Sequence, residues 1–408
     1  MGKANHSFWM GIAIIWISHL FMDFMLGVWP IYKTIAQVDL TIAGLIAGLG
    51  IFIGDGLQVL FGYLSDKGYQ QRLLAVGIGL AASIPFVSYV ENEWLLFVLV
   101  VCAFIGSGAF HPAGSGIVMA GNSSSKSFLI SLFACGGMIG AASSQIVYTF
   151  LYYNFAGQIW FLSIPILLCA LGCAFFPFPR AEQSKTQINF KQNIEKLKPE
   201  KTKLILLYIV HVLLQIVVIS FTFLLPDILM IKGYQEWFCL GGGYLCFIMG
   251  SVLTSIPIVG YGVDKIGYRL VLVAIIITSA ISLYVFLAVE TLSLTVPILL
   301  LGLLGGTMGV FIPVVVAGGT QNVPASMRSF VSALYMGGTT CVGGLGPILV
   351  SLLASFFGKQ TPVIALQGAG LLLIFSLGFI YYLPDPLLVP NQESQAVKLA
   401  PSLNGEIK

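Results

Sequence analysis

The chain has 408 residues, 58% of them hydrophobic and 9% charged, with a formal net charge of +3 and a mean hydropathy of +0.96. That excludes a soluble domain, whose composition carries roughly a quarter charged residues. Runs such as Leu204 to Leu225 and Leu292 to Ala317 show no alternation, which excludes a transmembrane barrel and leaves helices as the way to satisfy the backbone in lipid.

A helical crossing takes about 20 apolar residues. In chain order, apolar runs bounded by breaker residues predict twelve spans, near 8–31, 41–64, 72–90, 94–119, 127–152, 157–178, 203–231, 237–260, 269–288, 291–317, 329–357 and 361–383. The first run has full spanning length and reads as a span, not a cleaved leader. With the N-terminus inside, 16 of the 19 basic residues fall on the cytoplasmic side and only Lys33, Lys232 and Lys359 fall outside. This positive-inside bias predicts both termini in the cytoplasm, as in a bacterial inner membrane. Trp29, Trp94, Trp160 and Trp237 lie near span ends and read as interfacial anchors. All seven cysteines lie in apolar runs and read as small buried hydrophobes.

The fold class expected is an all-α polytopic membrane protein, its twelve transmembrane helices forming two pseudo-symmetric six-helix bundles. The first bundle covers 1–178 and the second 203–383; 179–202 is a charged cytoplasmic linker and 384–408 a disordered cytoplasmic tail. An internal repeat supports the halves. Gly62-Tyr63-Leu64-Ser65-Asp66-Lys67 returns as Gly260-Tyr261-Gly262-Val263-Asp264-Lys265, and Lys126-Ser127-Phe128 as Arg328-Ser329-Phe330. Pro30 with Pro226 and Pro112 with Pro313 repeat at similar offsets. A parallel six-span repeat places a central cavity between the halves, the architecture of alternating access.

At these residues the chain resembles the major facilitator superfamily. The loop after span 2 matches the family's Gly-x-x-x-Asp-Arg/Lys signature at Gly62, Asp66 and Lys67, with Arg72 beyond. The second copy matches at Gly260, Asp264, Lys265, Gly267 and Arg269. Within the superfamily, Gly106-Ser107-Gly108-Ala109-Phe110-His111-Pro112, with Ser131-Leu132-Phe133 and Gly136-Gly137, is similar to the fosmidomycin-resistance group of drug exporters. The resemblance implies proton-driven export of a small toxic compound by a protein that works as a monomer in the lipid bilayer. It implies no cofactor or metal, the proton gradient being the driving force, and no nucleic-acid partner.

An ionisable side chain at the bilayer centre costs about 3 kcal/mol by insertion scales, so each one requires a partner or a function. His19 and Asp23 share a face of span 1 and are the leading candidates for proton coupling, or else a structural hydrogen-bonded pair. Asp55, in Gly54-Asp55-Gly56 on span 2, reads as coupling or packing. His111, next to Pro112 in span 4, is a candidate for proton relay or substrate contact, or a histidine satisfied by the carbonyl that the proline frees. On span 7, His211 and Gln215 form a second same-face pair, with interfacial hydrogen bonding the simpler reading. Gln145 joins them as a candidate substrate contact, all polar groups able to hydrogen-bond a moderately polar compound. No basic residue lies mid-span, which argues against a strongly anionic substrate.

The remaining charges suggest a conformational latch at the cytoplasmic side, formed by Asp66, Lys67, Arg72 and Lys126 in one half and Asp264, Lys265, Arg269 and Arg328 in the other. Pseudo-symmetry places Asp66 opposite the start of span 11 and Asp264 opposite the start of span 5, where helix dipoles favour a carboxylate. The alternative is that these charges only set topology. Gly136-x-x-x-Gly140 and similar pairs predict close helix packing. A proton-coupled importer of a polar metabolite is the competing function. Enzyme motifs such as Gly-x-Ser-x-Gly, His-Glu-x-x-His and Gly-x-Gly-Asp are absent from the sequence.

Overall fold

Apolar runs that satisfy their own backbone must coil, and in a computed structural model of the chain the described residues are nearly all helical, with no strand among them. The structure describes residues 3–120, 126–178, 195, 197–290, 293–321, 323, 327–357 and 361–383. The expected tail, most of the expected linker and the side chain of Lys126 lie outside the described residues.

The first half comprises α1 (Lys3–Leu26, followed by the short helix Trp29–Ile35), α2 (Leu40–Leu64), α3 (Gln70–Ala81), α4 (Glu93–Ala120), α5 (Lys126–Asn154) and α6 (Ser163–Phe175). The second comprises α7 (Lys201–Ile231), α8 (Gly243–Pro257), α9 (Tyr268–Ala288), α10 (Thr295–Met308, resuming as Phe311–Thr320), α11 (Leu345–Phe357, preceded by Arg328–Ala333) and α12 (Thr361–Tyr381). Each expected span is matched by helix. Ten stretches among the described residues are long and apolar enough to cross a membrane, and Trp160–Phe175 is a shorter apolar helix. One of the ten, Leu40–Tyr89, has 50 residues. At 1.5 Å per residue it would reach about 75 Å, far beyond a hydrocarbon core of about 30 Å. It therefore crosses twice, dividing at Gly68, whose φ of 92° ends α2 and reorients the chain into α3. The equivalent break between α8 and α9 falls at Gly267, with φ 81°. The repeated loop motif thus encodes the same turn twice.

Packing repeats as well. In the first half α1 lies against α5 and α6, α2 and α3 against α4, and α3 against α6. In the second, α7 lies against α11 and α12, α8 and α9 against α10, and α9 against α12. The halves meet where α2 packs on α11 and α5 on α8. Large apolar side chains such as Phe175, Phe356, Leu253 and Leu299 are exposed on the outside, a surface that water would not tolerate and lipid tails cover.

Two expectations change. Trp94, Trp160 and Trp237 are exposed, but Trp29 is buried and donates through Nε1 to the carbonyl of Ala43 at 3.2 Å; it is a core residue, not an interfacial anchor. Of the cysteines only Cys173 and Cys239 are fully buried, and Cys135 is exposed, because helix faces that look apolar in sequence divide between core and lipid.

Candidate functional site

Close approach of α5 to α1 builds the centre of the first half. A side chain at Gly136 would strike the carbonyl of Trp16, and one at Gly140 the carbonyl of Leu20. With these glycines, α5 lies flush on α1 and brings Phe133 beside His19. The His19 ring stacks on Phe133, with centroids 4.1 Å apart, and its Nδ1 donates to the Phe133 carbonyl at 2.7 Å. Its Nε2 lies 3.3 Å from Asp23 Oδ2, as expected for one helix face.

His111 arrives from α4. Its Nε2 lies 3.4 Å from Asp23 Oδ1 and 3.2 Å from His19 Nε2, while its Nδ1 donates to the Ser107 carbonyl at 2.9 Å. Pro112 frees the Gly108 carbonyl, four residues before the proline, so the Ser107 carbonyl that holds His111 is not the freed one. One carboxylate is therefore shared by two imidazoles whose outer nitrogens are fixed on backbone carbonyls. His19 is buried, whereas Asp23 and His111 keep about a quarter of their side chains accessible, at 24% and 30%. Tyr244 of α8 is within electrostatic reach of Asp23, so the cluster faces the other half.

Asp55 accepts from Gln58 Nε2 at 2.8 Å and interacts electrostatically with His111. Gln58 in turn lies against Gly337 of the second half. His211 and Gln215 form a separate buried group. His211 Nε2 is 3.2 Å from Gln215 Nε2 and its Nδ1 is 3.0 Å from Thr339 Oγ1, inside the second half. This corrects the interfacial reading of His211, which is fully buried beside Thr339. The arrangement echoes His19 and Asp23 on α1, with glutamine in place of the carboxylate, so the second copy keeps the hydrogen bonds and loses the charge.

Gln145 is buried on α5, and neither its Nε2 nor its Oε1 has a hydrogen-bond partner among the described residues; Tyr148 Oη, one turn on, is likewise unpartnered. An unmet buried polar group costs about 1–3 kcal/mol. The α5 backbone here abuts Gly241, next to α8, and Thr149 Oγ1 donates to the Leu240 carbonyl at 2.9 Å.

Among the described residues no ion pair involves Asp66 or Asp264. Lys67 lies over the Tyr63 ring, Arg72 over Tyr69 and Lys265 over Tyr261. Arg269 Nη2 donates to the Tyr381 carbonyl and Arg328 Nε to the Val323 carbonyl. Asp264 and Arg328 instead line one cavity of about 470 Å³ with Thr320 and Gln321, all in the second half.

An ion pair joining the halves lies at the other end, and the sequence reading missed it. Lys33, read as a loop residue, is buried in the helix after α1 and bonds Asp227 of α7. Thr34 Oγ1 donates to the other oxygen of Asp227 at 2.8 Å, and the Lys33 ammonium lies 4.6 Å from the Phe223 ring centroid. The repeated prolines Pro30 and Pro226 flank this pair and were the available signal.

The sequence profile of the Major Facilitator Superfamily matches residues 11–254 and 240–405. An uncharacterised MFS-type transporter of Methanocaldococcus jannaschii is 26% identical over 343 residues, covering 82% of this chain and 83% of the relative. Among solved structures, a bacterial homologue of the human lysosomal transporter Spinster, inward-facing and unoccupied, superimposes with a TM-score of 0.75 at 13% identity, over 93% of this chain and 97% of its own. The nucleoside transporter NupG gives 0.72 at 12% identity, over 92% and 98%.

Proposed function

The chain belongs to the Major Facilitator Superfamily, and on that premise we propose that it is a proton-coupled antiporter that exports a small, moderately polar compound by alternating access. It is a multi-pass integral membrane transporter, not an enzyme. The observation that carries the coupling is the shared position of Asp23 between His19 and His111. A proton on any member of this cluster is stabilised by the other two, and the two partly accessible members can exchange it with the space between the halves.

In this reading Gln145 and Tyr148 supply substrate hydrogen bonds from α5, which accounts for their lack of partners among the described residues. Both buried lysines among the described residues are engaged, Lys33 by Asp227 and Lys203 by Glu200 and the Gln321 carbonyl. Neither is available to neutralise a strongly anionic cargo. The Lys33–Asp227 pair closes one end of the cavity, and the opposite set around Asp66 and Asp264 closes the other end in the alternate state. The basic bias assigns the Asp66 end to the cytoplasm, both termini with it, in a bacterial inner membrane. The resemblance around His111 to drug exporters favours export over import, and the protein works as a monomer.

The test is drug susceptibility of an efflux-deficient bacterium expressing the protein or Asp23→Asn at matched membrane abundance, across a panel that includes fosmidomycin. Resistance that disappears in Asp23→Asn supports the proposal; resistance to nothing in the panel, with energised uptake of a panel compound, establishes import instead.

A further inference from the structure

Two imidazole nitrogens and the two oxygens of one carboxylate come together in the first half. The carbonyls of Phe133 and Ser107 can only accept, so the Nδ1 atoms of His19 and His111 both donate. In the neutral rings this leaves both Nε2 atoms as bare lone pairs, and they face each other and a carboxylate. The separations are 3.2 Å between the two Nε2 atoms, 3.3 Å from His19 to Asp23 Oδ2 and 3.4 Å from His111 to Asp23 Oδ1, so each imidazole faces its own carboxylate oxygen. A tetrahedral ion with metal–ligand bonds near 2.0–2.1 Å sets its ligands about 3.3 Å apart. The outer nitrogens resting on carbonyls are the supports that fix metal-binding imidazoles in orientation.

We propose that His19, Asp23 and His111 form a binding site for one divalent transition-metal ion of the zinc class, with its fourth position open toward the space between the halves. The three side chains lie within 4.8 Å of one another by their ligand atoms. Two imidazoles and a carboxylate are a donor set that suits Zn²⁺ over Mg²⁺ or Ca²⁺, which prefer all-oxygen shells. Gly137 completes the site, since a side chain there would collide with both Asp23 Oδ2 and His19 Nε2. The family resemblance implied no metal, and sequence spacing does not bring His111 to His19, 92 residues away on another helix. The proposal does not depend on proton coupling: ligand geometry alone carries it, and a bound ion would exclude the shared proton.

The experiment uses the full chain, purified in detergent and stripped of metal, titrated with Zn²⁺ against a chromophoric chelator and then with Co²⁺ for its visible spectrum. One Zn²⁺ per chain is expected, weakened at least 100-fold by His111→Ala and by Gly137→Ala but unchanged by His211→Gln, which alters the other buried histidine. His111→Cys, which keeps a ligand, should retain Co²⁺ and add a thiolate-to-cobalt charge-transfer band, a change no merely structural role produces. Absence of Zn²⁺ uptake by the wild type, or uptake unaffected by His111→Ala with no such band in His111→Cys, overturns the site. Either result leaves proton flux to be judged separately.

Discussion

Lys33 and Asp227 form a buried ion pair that ties the helix after α1 to α7, across the two halves of the chain. A buried ammonium with its partner removed is an uncompensated charge, at a cost of about 3–5 kcal/mol. Asp227→Asn should therefore favour the state open at this end. Spin labels placed across that end should report a longer separation than in the wild type, and the exchange Lys33→Asp with Asp227→Lys should restore much of the original distance. An unchanged distance in Asp227→Asn would show that the pair does not hold the end closed.

Asp66 and Asp264 are free of cross-half ion pairs among the described residues, as expected if they act in the alternate state. Asp66→Asn should lower transport at least tenfold while leaving thermal stability within about 0.5 kcal/mol, the range of surface substitutions. Transport at the wild-type rate would reduce these charges to topology signals.

Gly140 permits contact between α5 and the carbonyl of Leu20. Gly140→Val would wedge the helices that hold His19 and Asp23, with an overpacking cost of about 1–3 kcal/mol. A lower melting temperature and lost transport are expected, whereas the same substitution at Gly79, which has open space around it, should leave the packing intact.

His211 repeats the geometry of His19 without a carboxylate beside it. His211→Gln should destabilise the second half and slow transport, but leave the ratio of protons to substrate unaltered. A changed stoichiometry in that variant would move the coupling group to α7.

Much of this architecture was legible because long apolar runs and the two Gly-x-x-x-Asp-Lys loops are local features. The His19–Asp23 pair was legible for the same reason, being four residues apart on one helix. His111 could be singled out as an intramembrane histidine, but its distance to Asp23 depends on how α4 packs beside α1 and α5. The Lys33–Asp227 pair was illegible for a further reason: Asp227 sits in an apolar run and Lys33 beyond the end of another, so neither looked partnered. The unpartnered amide of Gln145 depends on burial, which periodicity does not encode in a helix apolar on nearly all faces.

The most direct test of the central claim is proton flux in inverted membrane vesicles carrying an acid-inside gradient, read with a pH-sensitive dye. Compounds to which the protein confers resistance should collapse part of the gradient when added to wild-type vesicles and leave it intact in Asp23→Asn vesicles of equal protein content. A gradient unmoved in the wild type, or collapsed equally in Asp23→Asn, would contradict proton coupling through the Asp23 cluster.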